Sequence, residues 1–204
     1  DARDHTLVIG PPLGPLSLNG VAARVSPVQQ IPVSLSIPSA YPAELRGTLT
    51  FAFAPSAVVP GDDPAVQFST GGRTVGFTIP ANTTNAMFPS PLMLMTGTVA
   101  GTVTMTGAFQ NGPSNLALLS TTVDSGPPKM TTITATRISG GLSVRVIGYS
   151  PERRVTEVEY SFDVRVNGVI EKVNLGRAVQ SEFNTWYQNP ASTAFGSAFR
   201  LEQL

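Results

Sequence analysis

His5 is the single histidine of a 204-residue chain that contains no cysteine, and Asp4 stands beside it. A Ser-His-Asp relay needs an imidazole held between a nucleophile and a carboxylate. Neighbours along an extended chain point to opposite faces, so Asp4 is badly placed to orient His5. One histidine without cysteine is also too few for a zinc site within one chain. Asp62 and Asp63, in Pro60-Gly61-Asp62-Asp63-Pro64, carry the oxygen ligands of a calcium loop. They equally suit a turn in which Asp accepts hydrogen bonds from its own backbone. Glu152, Glu157 and Glu159 lie near Arg153 and Arg154 and read as the solvated charged face of an exposed strand, a pattern that guards an edge against aggregation. The competing reading is a paired-carboxylate glycosidase site, which nothing else in the sequence organises into a sugar cleft. No catalytic residue, cofactor or metal ligand is assigned, and the chain is expected not to be an enzyme.

The aromatic residues offer a different chemistry. Phe183, Trp186, Tyr187, Phe195 and Phe199 crowd together, and Trp186 is the single tryptophan. The spacing of Phe183, Trp186 and Tyr187 predicts a single helical turn that ends at Asn189-Pro190. Two roles are open: core packing of the second half, or a Trp186/Tyr187 platform that stacks on a sugar ring and makes a surface polysaccharide a partner. Asn82-Thr83-Thr84 matches the N-glycosylation triplet, which matters only in a host that uses it.

Composition narrows the field. Charged residues are 13% of the chain, about half the usual share, and 41% are hydrophobic. Formal net charge is zero, so no basic stripe is available to neutralise phosphates and nucleic acid is not an expected partner. No apolar run approaches the ~20 residues of a membrane span. Low charge, abundant threonine and a first residue other than Met fit a protein working outside the cytoplasm, secreted or at the cell surface, after removal of a signal peptide.

Period-two alternation dominates what positions these residues. Ile31, Val33, Leu35 and Ile37 form one apolar set. Leu45, Leu49, Phe51 and Phe53 alternate with Arg46, Thr48, Thr50 and Ala52. Val75, Phe77 and Ile79 repeat the pattern, as do Val99, Val103 and Met105 against Thr98, Thr102 and Thr104. In the second half Leu142, Val144 and Val146 form one run, and Val158, Tyr160, Phe162, Val164 and Val166 another. Gly71-Gly72, Gly140-Gly141 and Asn167-Gly168 supply hairpin signals, the last being the type I′ pair that predicts a tight hairpin over 165–172.

These elements predict an all-β protein of two tandem immunoglobulin-like β-sandwich domains, over 28–124 and 129–204, behind an extended N-terminal arm at 1–27. Pro127-Pro128 stiffens the linker at 125–128. Sandwiches of this kind often carry an inter-sheet disulfide, so this one must hold by packing and pairing alone. The arm contains Leu7, Val8 and Ile9, then a Pro-rich break, then Leu16 and Leu18. It is read either as an edge strand of its own domain or as a strand lent to a neighbouring copy.

Ser139-Gly140-Gly141-Leu142, Gly148-Tyr149-Ser150, Phe183-Asn184-Thr185-Trp186-Tyr187 and Phe195-Gly196-Ser197-Ala198-Phe199 resemble the C-terminal module of secreted Ig-like proteins of soil bacteria. Gly47-Thr48-Leu49-Thr50-Phe51, Gly71-Gly72-Arg73-Thr74-Val75 and residues 96–103 are similar to the module that precedes it. The resemblance covers most of 28–204 and implies a secreted, surface-associated pair of sandwiches. Its motifs specify turns and core, and it brings no catalytic residues. The leading expectation is a non-enzymatic extracellular structural protein, a filament or surface-layer subunit that self-associates through its arm as a homo-oligomer or polymer. An adhesion or carbohydrate-binding module built on Trp186 and Tyr187 is the alternative, and an accessory domain of a larger enzyme a third.

Overall fold

Strand-forming alternation makes the described residues mostly β-strand in several sheets, with one short α-helix among them. The computed structural model describes residues 12–204, so His5, Leu7, Val8 and Ile9 lie outside the described residues.

The first half begins with β1 (Ser17–Asn19), β2 (Arg24–Val25), β3 (Gln30–Pro32), β4 (Ser34–Ser36) and β5 (Leu45–Pro55). It continues with β6 (Val66–Phe68), β7 (Thr74–Ile79), β8 (Met93–Thr96), β9 (Gly101–Phe109) and β10 (Leu116–Val123). A five-stranded sheet runs β2-β10-β9-β5-β7, a three-stranded sheet β3-β8-β6, and β1 pairs with β4. Their apolar faces share one core. Leu49, Phe51, Phe77, Val103 and Met105 from the larger sheet meet Val66, Phe68 and Leu94 from the smaller, with Leu35 of β4 beside them. The Phe51 and Phe68 rings meet edge to face at 4.9 Å across this core, a geometry favoured by their quadrupoles. The opposite face of the large sheet carries threonines, and Thr50 and Thr74 hydroxyls bond across strands at 3.1 Å.

Two local expectations change here. The alternation over 31–37 divides into two strands in different sheets, β3 against β8 and β4 against β1. Between them the Val33 N–H continues the β3–β8 register to the Leu92 carbonyl at 2.9 Å, and two residues on Leu35 already pairs with Leu18. Gly71-Gly72, with φ of 88° and 72°, turns a corner between sheets instead of closing a hairpin, because β6 pairs with β8 and β7 with β5.

The second half holds β11 (Lys129–Ile138), β12 (Gly141–Tyr149), β13 (Glu157–Val166), β14 (Val169–Ala178), the helix α1 (Gln180–Gln188), a 3-10 turn at Pro190–Phe195 and β15 (Ala198–Gln203). One sheet is β11-β12-β15, and β13 and β14 form a sheet of two. Asn167 and Gly168, at φ of 52° and 86°, make the tight turn between them, and Val166 pairs with Val169. A second core gathers Val144, Val146, Val155, Tyr160, Val179, Phe183, Tyr187 and Phe199. Val59 of the first half packs against it.

Residues 12–29, ahead of β3, fold back on their own chain. Leu16 is buried in the first core. Leu18 pairs with Leu35, and β2 adds in parallel to the end of β10, Val25 opposite Val123.

Candidate functional site

Two places in the fold gather side chains beyond what a core or a turn requires. One is a buried polar seam between the halves. The other is an apolar sheet face left open.

The seam starts from Asp63, whose side chain is buried while Asp62 reaches outward to Arg73 at 2.6 Å. The two carboxylates therefore diverge, and the lone pairs of Asp63 are occupied by protein donors. Oδ2 accepts from the Thr98 amide at 2.6 Å, the Thr98 hydroxyl at 3.0 Å and the Val99 amide at 3.0 Å, while Oδ1 accepts from the Ala65 amide at 2.9 Å. Thr98 passes the connection on. Its Oγ1 accepts from the Ser197 amide at 2.9 Å, and its carbonyl accepts from the Ser197 hydroxyl at 2.8 Å. Backbone pairs join the halves beside it: Val58 N–H to the Glu152 carbonyl at 3.0 Å and Ala100 N–H to the Pro151 carbonyl at 2.9 Å.

Arg153 corrects the expectation of a solvated charged face around 152–159. It adopts φ 51° in a turn closed by its amide on the Ser150 carbonyl at 2.7 Å, and its side chain is buried. The guanidinium lies 5.1 Å from the centroid of the Tyr187 ring, and Nη2 donates to the Tyr187 carbonyl at 2.7 Å and the Ser192 hydroxyl at 2.6 Å. A side chain at Gly61 would meet that guanidinium and force it to shift, so glycine lets the loop approach it. Burial lowers the affinity of Arg153 for its proton, and the neighbouring Tyr187 and Asp63 offset part of that loss. The same burial raises the Tyr187 phenol well above its ordinary range, against the opposing pull of Arg153. Glu157 and Glu159 are exposed on β13.

Tyr187 is only 2% exposed, and its hydroxyl donates to the Ser197 carbonyl at 2.7 Å. The Trp186/Tyr187 platform is thereby corrected: a ring enclosed on both faces cannot stack on a sugar. The reason is helical geometry, since α1 runs through both residues and its core-facing positions are Phe183 and Tyr187. Trp186 is half-buried, donates from Nε1 to the Ala198 carbonyl at 3.4 Å and sits 5.9 Å from the exposed Phe195 ring. These two rings, with Ala198, Phe199 and Arg200, line a shallow hollow of about 280 Å³. Asn82 lies exposed at φ 61° in a loop. Leu16 and Leu18, read as arm residues for a neighbour, are placed by the structure in the fold of their own chain.

The open face belongs to the second half. Register puts Val158, Tyr160, Phe162, Val164 and Val166 on one face of the hairpin, opposite Arg177, Leu175, Val173, Glu171 and Val169. Only the end nearest α1 is covered. Tyr160 is buried, whereas Val164, Val166, Val169, Val173 and Leu175 are exposed, Val169 to 62%. The facing sheet behaves alike: Val144 and Val146 are buried, but Leu142 and Ile133 beside them are exposed, Ile133 to 61%. Burial raises the Tyr160 phenol against the pull of Arg177, and its buried hydroxyl has no hydrogen-bond partner among the described residues.

Among the described residues, no group of three or more His, Asp or Glu side chains is placed to hold a metal ion, and no helix is long and apolar enough to cross a membrane. Set against protein-family models, curated proteins and solved structures, the chain matches none.

Proposed function

We propose that this chain is a non-enzymatic structural β-protein whose role is to self-associate outside the cytoplasm, as a subunit of a filament or surface layer. The observation that carries this reading is the hairpin β13–β14, a sheet of two strands with five apolar side chains exposed on one face. A two-stranded ribbon is marginal in water by itself, and long apolar strands with free edges are covered in functional assemblies or aggregate. A face of this kind fits a protein that is completed by a partner.

The buried seam supports the same reading. Thr98, held by Asp63, bonds Ser197, and the backbone pairs of Val58 with Glu152 and Ala100 with Pro151 join the halves beside it, which favours a rigid unit over two modules on a loose tether. Stiff units transmit load and geometry in an assembly. In this reading 28–124 and 129–204 are tandem immunoglobulin-like modules, and β1 and β2 complete sheets. The test is sedimentation of the full chain across the micromolar range. Self-association that rises with concentration supports the proposal, and a monomer throughout overturns it.

A second reading rests on Trp186 and Phe195, whose rings border the shallow hollow beside Arg200. Half-exposed aromatic pairs of this kind stack on sugar faces, which would make the chain an adhesion or carbohydrate-binding module. Titration of polysaccharides against the chain and a Trp186→Ala variant tests it: binding that the substitution removes supports it, and no binding refutes it.

A further inference from the structure

We infer that the outer edge of β11 is a self-pairing edge, to which the β11 of a second copy adds antiparallel about a two-fold axis at Thr134. This deepens the self-association reading and rests on it.

The backbone makes the edge available. Among the described residues β11 pairs with β12 alone, and all ten of its residues are exposed. Ile138 pairs with Gly141 across the two turn residues Ser139 and Gly140, and a loop that short is closed by a hydrogen-bonded pair. Alternation then turns the N–H and C=O of Thr136, Thr134 and Thr132 toward β12. Those of Arg137, Ala135 and Ile133 point to the open edge.

Charged side chains and prolines keep strand edges from pairing. Charges recur along β13 at Glu157, Glu159, Asp163 and Arg165 and along β14 at Glu171 and Lys172. At β15 the Trp186 Nε1 covers the Ala198 carbonyl. The edge of β11 has no such guard: it lacks proline, and its two charges, Lys129 and Arg137, stand near its ends.

The sequence of β11 selects the partner. Thr132, Thr134 and Thr136 share one face and Ile133 and Ala135 the other, so the pattern reads alike in both directions from Thr134. Turned about an axis there, Thr132 stands opposite Thr136 of the mate, Thr134 opposite its own counterpart, and Ile133 opposite Ala135. Threonine pairs and apolar pairs set directly opposite stabilise antiparallel strands. Ile133 and Ala135 exchange both backbone bonds with their opposites, about four bonds in all, and the Thr134 pair between them brings its α-carbons to about 4.5 Å. Charge fixes this register. With the axis at Thr134, Arg137 faces Thr131 of the mate. Moved one residue to Ile133, it would set Lys129 against Arg137, and like charges directly opposite are unfavourable. The three-stranded sheets of two copies thereby become one, and Ile133, 61% exposed beside Val146, gains an apolar neighbour. The contact uses one edge twice and is closed.

The experiment is sedimentation equilibrium of the full chain and three variants, with far-UV circular dichroism on each. Thr134→Lys sets two ammonium groups at the axis from a position exposed in the monomer. Ala135→Pro removes an N–H that points away from β12, so the β11–β12 ladder keeps its bonds while the ring blocks an incoming strand. Thr104→Lys, exposed on β9, is the control. The inference predicts a dimer for the parent and for Thr104→Lys. Each β11 variant is expected to raise the dissociation constant by about tenfold or more. Added salt is expected to recover Thr134→Lys and not Ala135→Pro, since it screens only the charge repulsion. A parent that associates while a folded β11 variant associates equally well overturns this edge and leaves self-association standing on another surface. A parent that is monomeric at every concentration overturns both.

Discussion

Replacing Asp63 by alanine removes the acceptor for four donors at once: the amides of Ala65, Thr98 and Val99 and the Thr98 hydroxyl. The site is buried, with Asp63 at 1% exposure, so the stranded groups cannot turn to solvent without opening the seam. A buried donor left without a partner costs about 1–3 kcal/mol. The Thr98 hydroxyl can rotate and water can reach part of the gap, so the expected loss is about 4 kcal/mol, less than four fully stranded donors would cost. Asp63→Asn keeps the volume and one carbonyl oxygen, which restores part of the set, and its cost is expected near ~2 kcal/mol. Urea denaturation read by far-UV circular dichroism measures both. Fluorescence adds a sharper criterion, because Trp186 is the single tryptophan and lies in the half opposite Asp63. If the seam couples the halves, Asp63→Ala lowers the midpoint of the Trp186 signal along with that of the strands. A loss under about 1 kcal/mol, or a Trp186 transition that does not move, refutes the role given to Asp63.

Other consequences can be checked separately. Gly61→Ala sets a methyl group against the buried Arg153 guanidinium, and overpacking of this kind is expected to cost about 1–3 kcal/mol by thermal or urea denaturation. Tyr187 titrates higher in the folded chain than its unfolded value of about 10. The folded state therefore holds the phenolic proton longer, and that part of the stability is complete below pH ~10 and falls as pH rises through the folded value. Tyr187→Phe should flatten this alkaline loss in pH-dependent unfolding, while costing about 1 kcal/mol at neutral pH for the bond to Ser197. Trp186→Ala should leave the fold intact, as seen by circular dichroism, with a loss of about 2–3 kcal/mol because the ring is only half-buried.

The parts of the fold legible in the sequence are those set by local rules. Asn167-Gly168 specified its turn because few other pairs adopt two successive positive φ angles. The alternation over 45–53 and 158–166 marked strands because a half-buried strand repeats every two residues, while of the run at 99–105 the strand takes only the part from Gly101 on and leaves Val99 in the loop before it. What could not be read depended on distant partners. The run at 31–37 looks like one strand, yet Leu92 and Leu18 draw its two ends into different pairings. Asp63 carries the local signature of a turn residue, and it does bond Ala65; its other three bonds reach a loop 35 residues away. Arg153 sits among glutamates and reads as surface. Only the approach of Gly61, Tyr187 and Ser192 from elsewhere in the chain turns it inward. The helical turn at 183–187 follows from local spacing, but Phe183 and Tyr187 share its buried side, a consequence of a four-residue spacing that leaves Trp186 nearer the surface.

The central claim concerns where a second copy binds, and a chain without cysteine allows it to be tested with a single thiol. Thr134→Cys places one sulfur at the two-fold axis of the β11 edge, and Thr104→Cys places one on the exposed threonine face of β9 as a control. A disulfide can then form only between two copies, and only where the α-carbons come within about 7 Å. Mild oxidation at micromolar concentration, read on a non-reducing gel, is expected to trap a covalent dimer with Thr134→Cys and none with Thr104→Cys. A Thr134→Cys chain that stays monomeric, or that cross-links no faster than the control, contradicts the account.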